Sequence, residues 1–332
     1  MNPHVLVIGG GQNAEHDVSV HSASAITDAL RSRGFEVTAL IIGRDGCWQH
    51  AAPLADSAVD SLVAALPLLA RADVVFPAIH GPLGEDGSLA ALCALAHKPV
   101  VGSGLRAGAI GMDKWATKLV AEATGLPTAP ARLVHAGHPD GVEFETEVVV
   151  KPVAGGSSYG VGLARDAHQL AAALRTAARY DERILVEQVV HGREIDVAVL
   201  READGSCWTP PPLEIHSDGL FDTTTKYDGT ARFSVPADLG DSERMALTQA
   251  ALAMFDALGC AGVARIDFFL TADGPVLNEV NTMPGMTAES QVPRMFAAAG
   301  VPYDELVVRL VAGATVPTAT PTPIRQRPEV HV

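Results

Sequence analysis

This 332-residue chain is short of basic residues, aromatics and cysteine, and the shortages exclude several classes of protein. It sets 24 lysines and arginines against 39 acidic side chains, a net charge of −15, which argues against nucleic acid or an anionic membrane as the main partner. A local basic cluster that holds a small anion is still compatible with that balance. The four cysteines, Cys47, Cys93, Cys207 and Cys260, are scattered with no C-x-x-C pair. That spacing excludes a zinc pattern or a disulfide framework and leaves buried thiols. No segment approaches a membrane span. Met1-Asn-Pro-His runs straight into a strand-like Val5–Ile8, without a charged n-region followed by a long apolar run. The expectation is a cytoplasmic enzyme, long enough for two or three domains and a sizeable core.

What is present is concentrated between residues 262 and 290, G-V-A-R-I-D-F-F-L-T-A-D-G-P-V-L-N-E-V-N-T-M-P-G-M-T-A-E-S. Val263–Leu270 is rich in β-branched and aromatic residues, Ala272-Asp273-Gly274-Pro275 is turn chemistry, and Val276–Asn281 is extended again, which predicts a hairpin. In an antiparallel pair centred on Asp273, Asp267 faces Glu279 and Arg265 faces Asn281. Alternation with period two puts all four on one face, while Ala264, Ile266, Phe268 and Val280 take the core face. Two carboxylates and an amide oxygen suit a hard cation such as Mg²⁺. The arginine beside them suits a phosphoryl group, which its planar fork pairs bidentately. An exposed hairpin face with an ordinary ion pair is the plain alternative. The continuation N-T-M-P-G-M-T speaks against it, because Pro-Gly directly after the strand presents backbone N–H groups beside the cation.

The rest of the chain supplies strands ending in polar loops. Val5–Ile8, Gly9-Gly-Gly11 and a helix from about Asp17 to Arg33 read as strand, glycine turn and helix, and Val37–Ile42 is a second strand, the opening of a doubly wound α/β domain. Glu15-His16-Asp17 stands at the helix entrance, where capping by Asp17 or Ser19 is the plain alternative. Asp73–Ile79 is a strand followed by His80-Gly-Pro-Leu-Gly-Glu-Asp-Gly87, a loop denser in functional groups than a connector needs. Met112-Asp113-Lys114 opens a helix to about Thr124, with Asp113 as N-cap and Lys114 where only an anionic ligand makes a cation welcome. Glu147–Lys151 is a strand carrying one lysine among valines, followed by Ala154-Gly-Gly-Ser-Ser-Tyr-Gly160, a combination that can bind phosphate oxygens without being a Walker motif. Two further strands carry Glu187, and Glu194 with Asp196. Gly219–Gly229, with Lys226 and Tyr227, reads as a lid, and the Pro/Thr-rich stretch 316–332 as a disordered tail.

These residues together resemble the ATP-grasp superfamily and, within it, the D-alanine–D-alanine ligase family. The motifs that carry the resemblance are A-E-H-D-V-S (14–19), H-G-P-L-G-E-D-G (80–87), M-D-K (112–114), V-K-P…G-S-S-Y-G (150–160), K-Y (226–227), R-I-D (265–267) and N-E-V-N-T-M-P-G-M-T…S (278–290), all in the family's order. The fold it implies is α/β with three domains: an N-terminal doubly wound parallel sheet (1–102), a central subdomain (103–186) and a C-terminal subdomain (187–315) bearing the lid (216–232). It implies Glu15 on the ammonium of a first D-alanine, with His80, Glu85 and Asp86 around that subsite. Lys114, Lys151, Ser157 and Ser158 fall to the phosphates of ATP, and Glu187, Val189, Val190 and Glu194 to the adenosine. Lys226 falls to the γ-phosphate, with Tyr227 linking the lid to Ser157 and Glu15. Asp267, Glu279 and Asn281 fall to two Mg²⁺, with Mn²⁺ as a substitute, Arg265 to the transferring phosphoryl group, Gly285 to the oxyanion and Ser290 to the second carboxylate. The activity implied is ligation of two D-alanines for peptidoglycan precursor synthesis, by a homodimer. Tyr159 in the phosphate loop resembles the vancomycin-resistance branch, whose members make D-alanyl-D-lactate. Lys226-Tyr227 resembles ligases with amino acceptors, so D-serine, D-lactate or another acceptor is the alternative second substrate.

Overall fold

The computed structural model describes residues 2–137, 142–216 and 232–314. Of the expected lid (216–232), all but the end residues His216 and Arg232 lies outside the described residues, Lys226 and Tyr227 included, as does the expected tail 316–332.

The first sheet contains β1 (Val5–Gly10), β2 (Val37–Ile42), β3 (Trp48–His50), β4 (Ala52–Pro53) and β5 (Val74–Pro77) in the order β4-β3-β2-β1-β5. Its helices are α1 (His16–Ser32), α2 (Ala58–Arg71) and α3 (Ser88–Leu95). β1 lies centrally, parallel to β2 and β5, and is buried along its whole length. Val5 and Val7 face α1, while Leu6 and Ile8 face α2 and α3, so helices cover both faces. The sheet is not wholly parallel, however. β3 and β4 fold back antiparallel on β2, because Asp45-Gly46 turns the chain immediately after β2 and leaves no room for a crossover helix. After β1 the chain turns through Gly10 at φ +84°, where a Cβ would meet the Ile42 carbonyl oxygen at 2.2 Å. That turn delivers Glu15 to the carboxyl end of the sheet.

Helices α4 (Leu105–Met112) and α5 (Lys114–Ala123) lead into a second, antiparallel sheet of β6 (Ala131–His135), β7 (Val148–Pro152), β8 (Gly162–Ala164) and β9 (Arg183–Gln188), ordered β6-β9-β7-β8. Helix α6 (Ala167–Ala177) covers one face of it with Leu170, Ala173 and Leu174. The third sheet holds β10 (Arg193–Arg201), β11 (Cys207–Trp208), β12 (Leu213–His216), β13 (Arg232–Ser234), β14 (Val263–Thr271) and β15 (Gly274–Asn281). Its order is β13-β12-β10-β14-β15, with β11 on β10. Helix α7 (Asp241–Leu258) packs Leu247, Ala251, Met254 and Phe255 against Ile195, Val197, Ala264, Ile266 and Phe268, so one face of this sheet is core and the other is left for chemistry. Helices α8 (Gln291–Ala298) and α9 (Tyr303–Ala312) join β10, β12 and α1 in a shared core that ties the third sheet to the first. Among the described residues, no helix is long and apolar enough to cross a membrane.

The hairpin differs from its expected register in an instructive way. It turns on Ala272-Asp273, closed by the pair Thr271↔Gly274, so Phe268 faces Leu277 rather than Asn278. A bulge at Asn278 absorbs the extra residue and restores the expected pairs Asp267↔Glu279 and Arg265↔Asn281.

Candidate functional site

Pleating of β14 and β15 sets Arg265, Asp267, Glu279 and Asn281 on the face opposite the α7 core. Arg265 forks onto Asp267, Nε to Oδ1 and Nη2 to Oδ2 at 2.7 Å each, and donates from Nη1 to Gln291 Oε1 at 2.8 Å. β10 adds Asp196 directly opposite Asp267. Asp196 is completely buried, and its Oδ2 lies 3.3 Å from Arg265 Nε, yet neither oxygen has a hydrogen bond. Burial first, and the charge of Asp267 second, push the Asp196 carboxyl well above the usual range. Burial works against the charge of Arg265, but Asp267 and Asp196 outweigh it and hold the guanidinium firmly protonated.

Two cavities meet on this face. The larger, of about 700 Å³, is lined by Lys151, Ser158, Glu187, Val189, Val190, Glu194 and Asp267. The smaller, of about 300 Å³, is lined by Glu15, His80, Glu85, Ser157, Asn281, Gly285 and Ser290. Lys114, Gly155, Gly156, Arg265 and Glu279 border both. All the expected site residues within the described residues therefore converge, with the single exception of Asp86.

The floor of the larger cavity is cationic. Lys114 Nζ donates to Gly155 O at 2.8 Å and lies 3.4 Å from Glu279 Oε2. Asp113 caps α5 through Ala116 N, as expected, and so fixes where Lys114 stands. Lys151 Nζ lies 2.6 Å from Glu187 Oε2 and 3.4 Å from Asn278 Oδ1. Ser157 and Ser158 follow Gly155-Gly156 at φ +48° and +57°, a strained pair in which L side chains are uncommon. Ser157 Oγ donates to Glu15 Oε1, joining the loop of the second sheet to α1 of the first. A Cβ on Gly156 would meet Glu15 Oε2 at 2.3 Å and push the carboxylate aside, so the missing side chain lets Glu15 come this close. Neither Asp17 nor Ser19 caps α1: no side chain makes the cap bond, Asp17 pairs with Arg44, and Ser19 Oγ donates to Glu15 O and accepts from His80 N–H.

Two residues expected around the first subsite spend their polar atoms within the protein. His80 is buried, and both ring nitrogens are engaged within the protein: Nδ1 with Met283 O at 2.8 Å and Nε2 with Ser22 Oγ at 2.9 Å. A carbonyl can only accept, so Nδ1 carries the proton, Nε2 accepts from the Ser22 hydroxyl, and Ser22 Oγ accepts from Met286 N–H at 3.3 Å. Burial lowers the His80 pKa and favours this neutral form. His80 thus fixes the 283–286 segment at the wall of the smaller cavity. Asp86 spends its oxygens on Leu83 N and Ser88 N at 2.9 Å each, shaping the loop. Lys118, Asp196, Asn278 and Gln291 were not expected here. Lys118 follows Lys114 by four positions and so shares its helix face, the one signal that could have marked it. Asn278 becomes visible only through the bulge.

Glu85 carries a pH dependence. Burial first, and the neighbouring Glu15 charge second, push its carboxyl from 4.5 to about 8. In the unliganded protein the native state then binds a proton that the unfolded chain has lost. Stability should fall as pH rises from about 4.5 and level off above about 8, by up to about 1.4 kcal/mol per pH unit. Glu85→Gln removes this dependence. Urea midpoints across pH 5–9 should show the variant gaining on the wild type with pH, and parallel profiles would contradict a neutral Glu85.

The donor set fits a hard divalent cation. Asp267, Glu279 and Asn281 offer only oxygens beside the cationic floor, and the oxygens already accepting bonds from Arg265 and from Met283 N retain a second lone pair.

The chain was compared with known proteins. Residues 4–103 match the family model for the D-ala D-ala ligase N-terminus and residues 141–312 that for the D-ala D-ala ligase C-terminus. The D-alanine–D-alanine ligases of Mycobacterium ulcerans and Mycobacterium tuberculosis are each 38% identical to it, over 93% of this chain and 95% of theirs. Among solved structures, the VanG D-Ala:D-Ser ligase of Enterococcus faecalis superposes with a TM-score of 0.79 at 28% identity, covering 94% of this chain and 99% of that one. The D-alanine–D-alanine ligase of Coxiella burnetii gives 0.77 at 29%, over 94% and 95%. With both halves matched and the two cavities built from the family's motifs, this chain belongs to the D-alanine–D-alanine ligase family.

Proposed function

We propose that the protein joins two D-alanines to D-alanyl-D-alanine, with ATP converted to ADP and phosphate, for peptidoglycan precursor synthesis. The observation that carries this reading is the shared wall of Lys114, Arg265 and Glu279 between a cavity large enough for a nucleotide and one sized for small amino acids. A group passing from one ligand to the other must cross that wall. Lys114 and Lys151 hold phosphate oxygens, Val189 and Val190 flank the base, and Glu15, tethered by Ser157, holds the first ammonium. Asp267, Glu279 and Asn281 would hold Mg²⁺, which supplies neutralisation of phosphate charge. The first D-alanine carboxylate takes the γ-phosphoryl group to give an acyl phosphate. Arg265 stabilises the charge that develops, and the amine of the second D-alanine then displaces phosphate at the carbonyl carbon. Gly285 N–H faces the resulting oxyanion and Ser290 the second carboxylate.

The same reading takes the chain as three α/β domains, 1–102, 103–186 and 187–315, in a cytoplasmic homodimer. The likeness to a D-Ala:D-Ser ligase favours one second reading, in which D-serine is the acceptor. Phosphate release should be strictly ATP-dependent with D-alanine alone. Adding D-serine or D-lactate in competition should leave D-alanyl-D-alanine the main product at pH 8. A mixed product in excess would transfer the assignment to the second reading, and no phosphate release with D-alanine would overturn the first.

A further inference from the structure

Behind the larger cavity lies a lysine that the reaction as derived does not use. Lys118 is 4% exposed and does not line either cavity. Its Nζ sits 2.7 Å from Glu187 Oε1, while Lys151 takes Glu187 Oε2 at 2.6 Å from the cavity side. One carboxylate therefore bridges two ammoniums, one facing the ligand space and one sealed from it. Stability alone gives little reason for such a cluster, because desolvating three charges costs about as much as their pairing returns, and apolar residues of similar size often do better. Lys118 is displaced downward in pKa by burial, which Glu187 opposes. Burial would raise Glu187, but Lys151 and then Lys118 outweigh it and keep the carboxyl low.

We propose that Lys118 is a positioning residue for the nucleotide, acting through Glu187 to leave Lys151 with an uncommitted positive charge at the phosphates. This rests on the assignment of the larger cavity to ATP. With Lys118 present, Glu187 is neutralised from behind, and the cluster presents one net positive charge to the cavity. Without it, Glu187 and Lys151 form a closed pair of zero net charge, and any movement of Lys151 toward phosphate strands a buried carboxylate. Charge balance then makes a specific demand: removing Lys118 should matter only while Glu187 is charged.

Binding of MgADP by calorimetry, KM for ATP and the thermal midpoint should be measured for wild type, Lys118→Met, Glu187→Gln and Lys118→Met/Glu187→Gln. In the wild-type background Lys118→Met should weaken MgADP binding and raise KM for ATP by about tenfold or more, the worth of one charged hydrogen bond, with KM for D-alanine unchanged, and Lys118→Arg should recover part of the loss. In the Glu187→Gln background any direct contact of Glu187 with the nucleotide is already changed on both sides of the comparison, and adding Lys118→Met should alter MgADP affinity by no more than a few-fold. If Lys118→Met does not fold, Lys118→Arg against wild type and the double variant against Glu187→Gln carry the test. A double variant that binds MgADP tenfold or more weaker than Glu187→Gln overturns the proposal, as does a single variant that loses thermal stability but binds MgADP normally. A wild type that binds no MgADP overturns the nucleotide assignment itself.

Discussion

Glu279→Gln should leave the fold intact and reduce ligation by at least about 10²-fold, the scale seen when one charge-stabilising group is removed from an active site. Glutamine is isosteric with glutamate, and Glu279 is half-buried at the end of β15 rather than in the α7 core, so packing is preserved. What is lost is a carboxylate charge at the wall between the two cavities, opposite Asp267 and 3.4 Å from Lys114 Nζ. As a proposed Mg²⁺ ligand, its loss should also raise the Mg²⁺ concentration needed for half-maximal rate, since this ion is usually held by only one or two carboxylates. A Mg²⁺ titration of phosphate release decides the matter. Near wild-type turnover with an unchanged Mg²⁺ requirement would remove Glu279 from the metal site.

Arg265→Ala should act mainly on kcat, lowering it by about 10³-fold or more, because the planar guanidinium serves charge that develops during phosphoryl transfer. KM for ATP should change far less, as Lys114 and Lys151 carry ground-state binding. The substitution has a second consequence, visible in the ion-pair geometry. It leaves the buried Asp267 carboxylate without its bidentate counter-charge, and takes away the guanidinium 3.3 Å from Asp196, at a stability cost of about 3–5 kcal/mol. Arg265→Lys separates the two effects. It keeps the charge near both aspartates but loses the bidentate fork, so it should retain much of the stability while still losing most of kcat. A variant in which only KM for ATP moves would make Arg265 a nucleotide-binding group.

The hairpin shows how far local chemistry reaches. Period-two alternation is a property of the extended backbone, so Arg265, Asp267, Glu279 and Asn281 could be placed on one face, and Ile266, Phe268 and Val280 on the other, from their order alone. The same reasoning misjudged the turn by half a residue and missed the bulge. Which residue leaves a ladder depends on the packing of the whole sheet, so Asn278 entered the site unannounced. Strand, glycine turn and helix at the start of the chain were equally legible. The antiparallel return of β3 and β4 was not, because both strands are too short to show a period.

By itself the sequence determined the longer strands of the site, the two faces of its hairpin, the loops that end those strands and the family to which their motifs point. Only the tertiary structure decided which charged groups meet. Ser157 reaches Glu15 across 142 positions of chain, and His80 joins Ser22 to Met283 through its two ring nitrogens. Lys118 turns inward to Glu187 although a lysine on an amphipathic helix would ordinarily face water. Local propensity acts within a few residues, whereas the pairing of buried charges is set by low dielectric and by whatever counter-charge the packed sheets bring within reach.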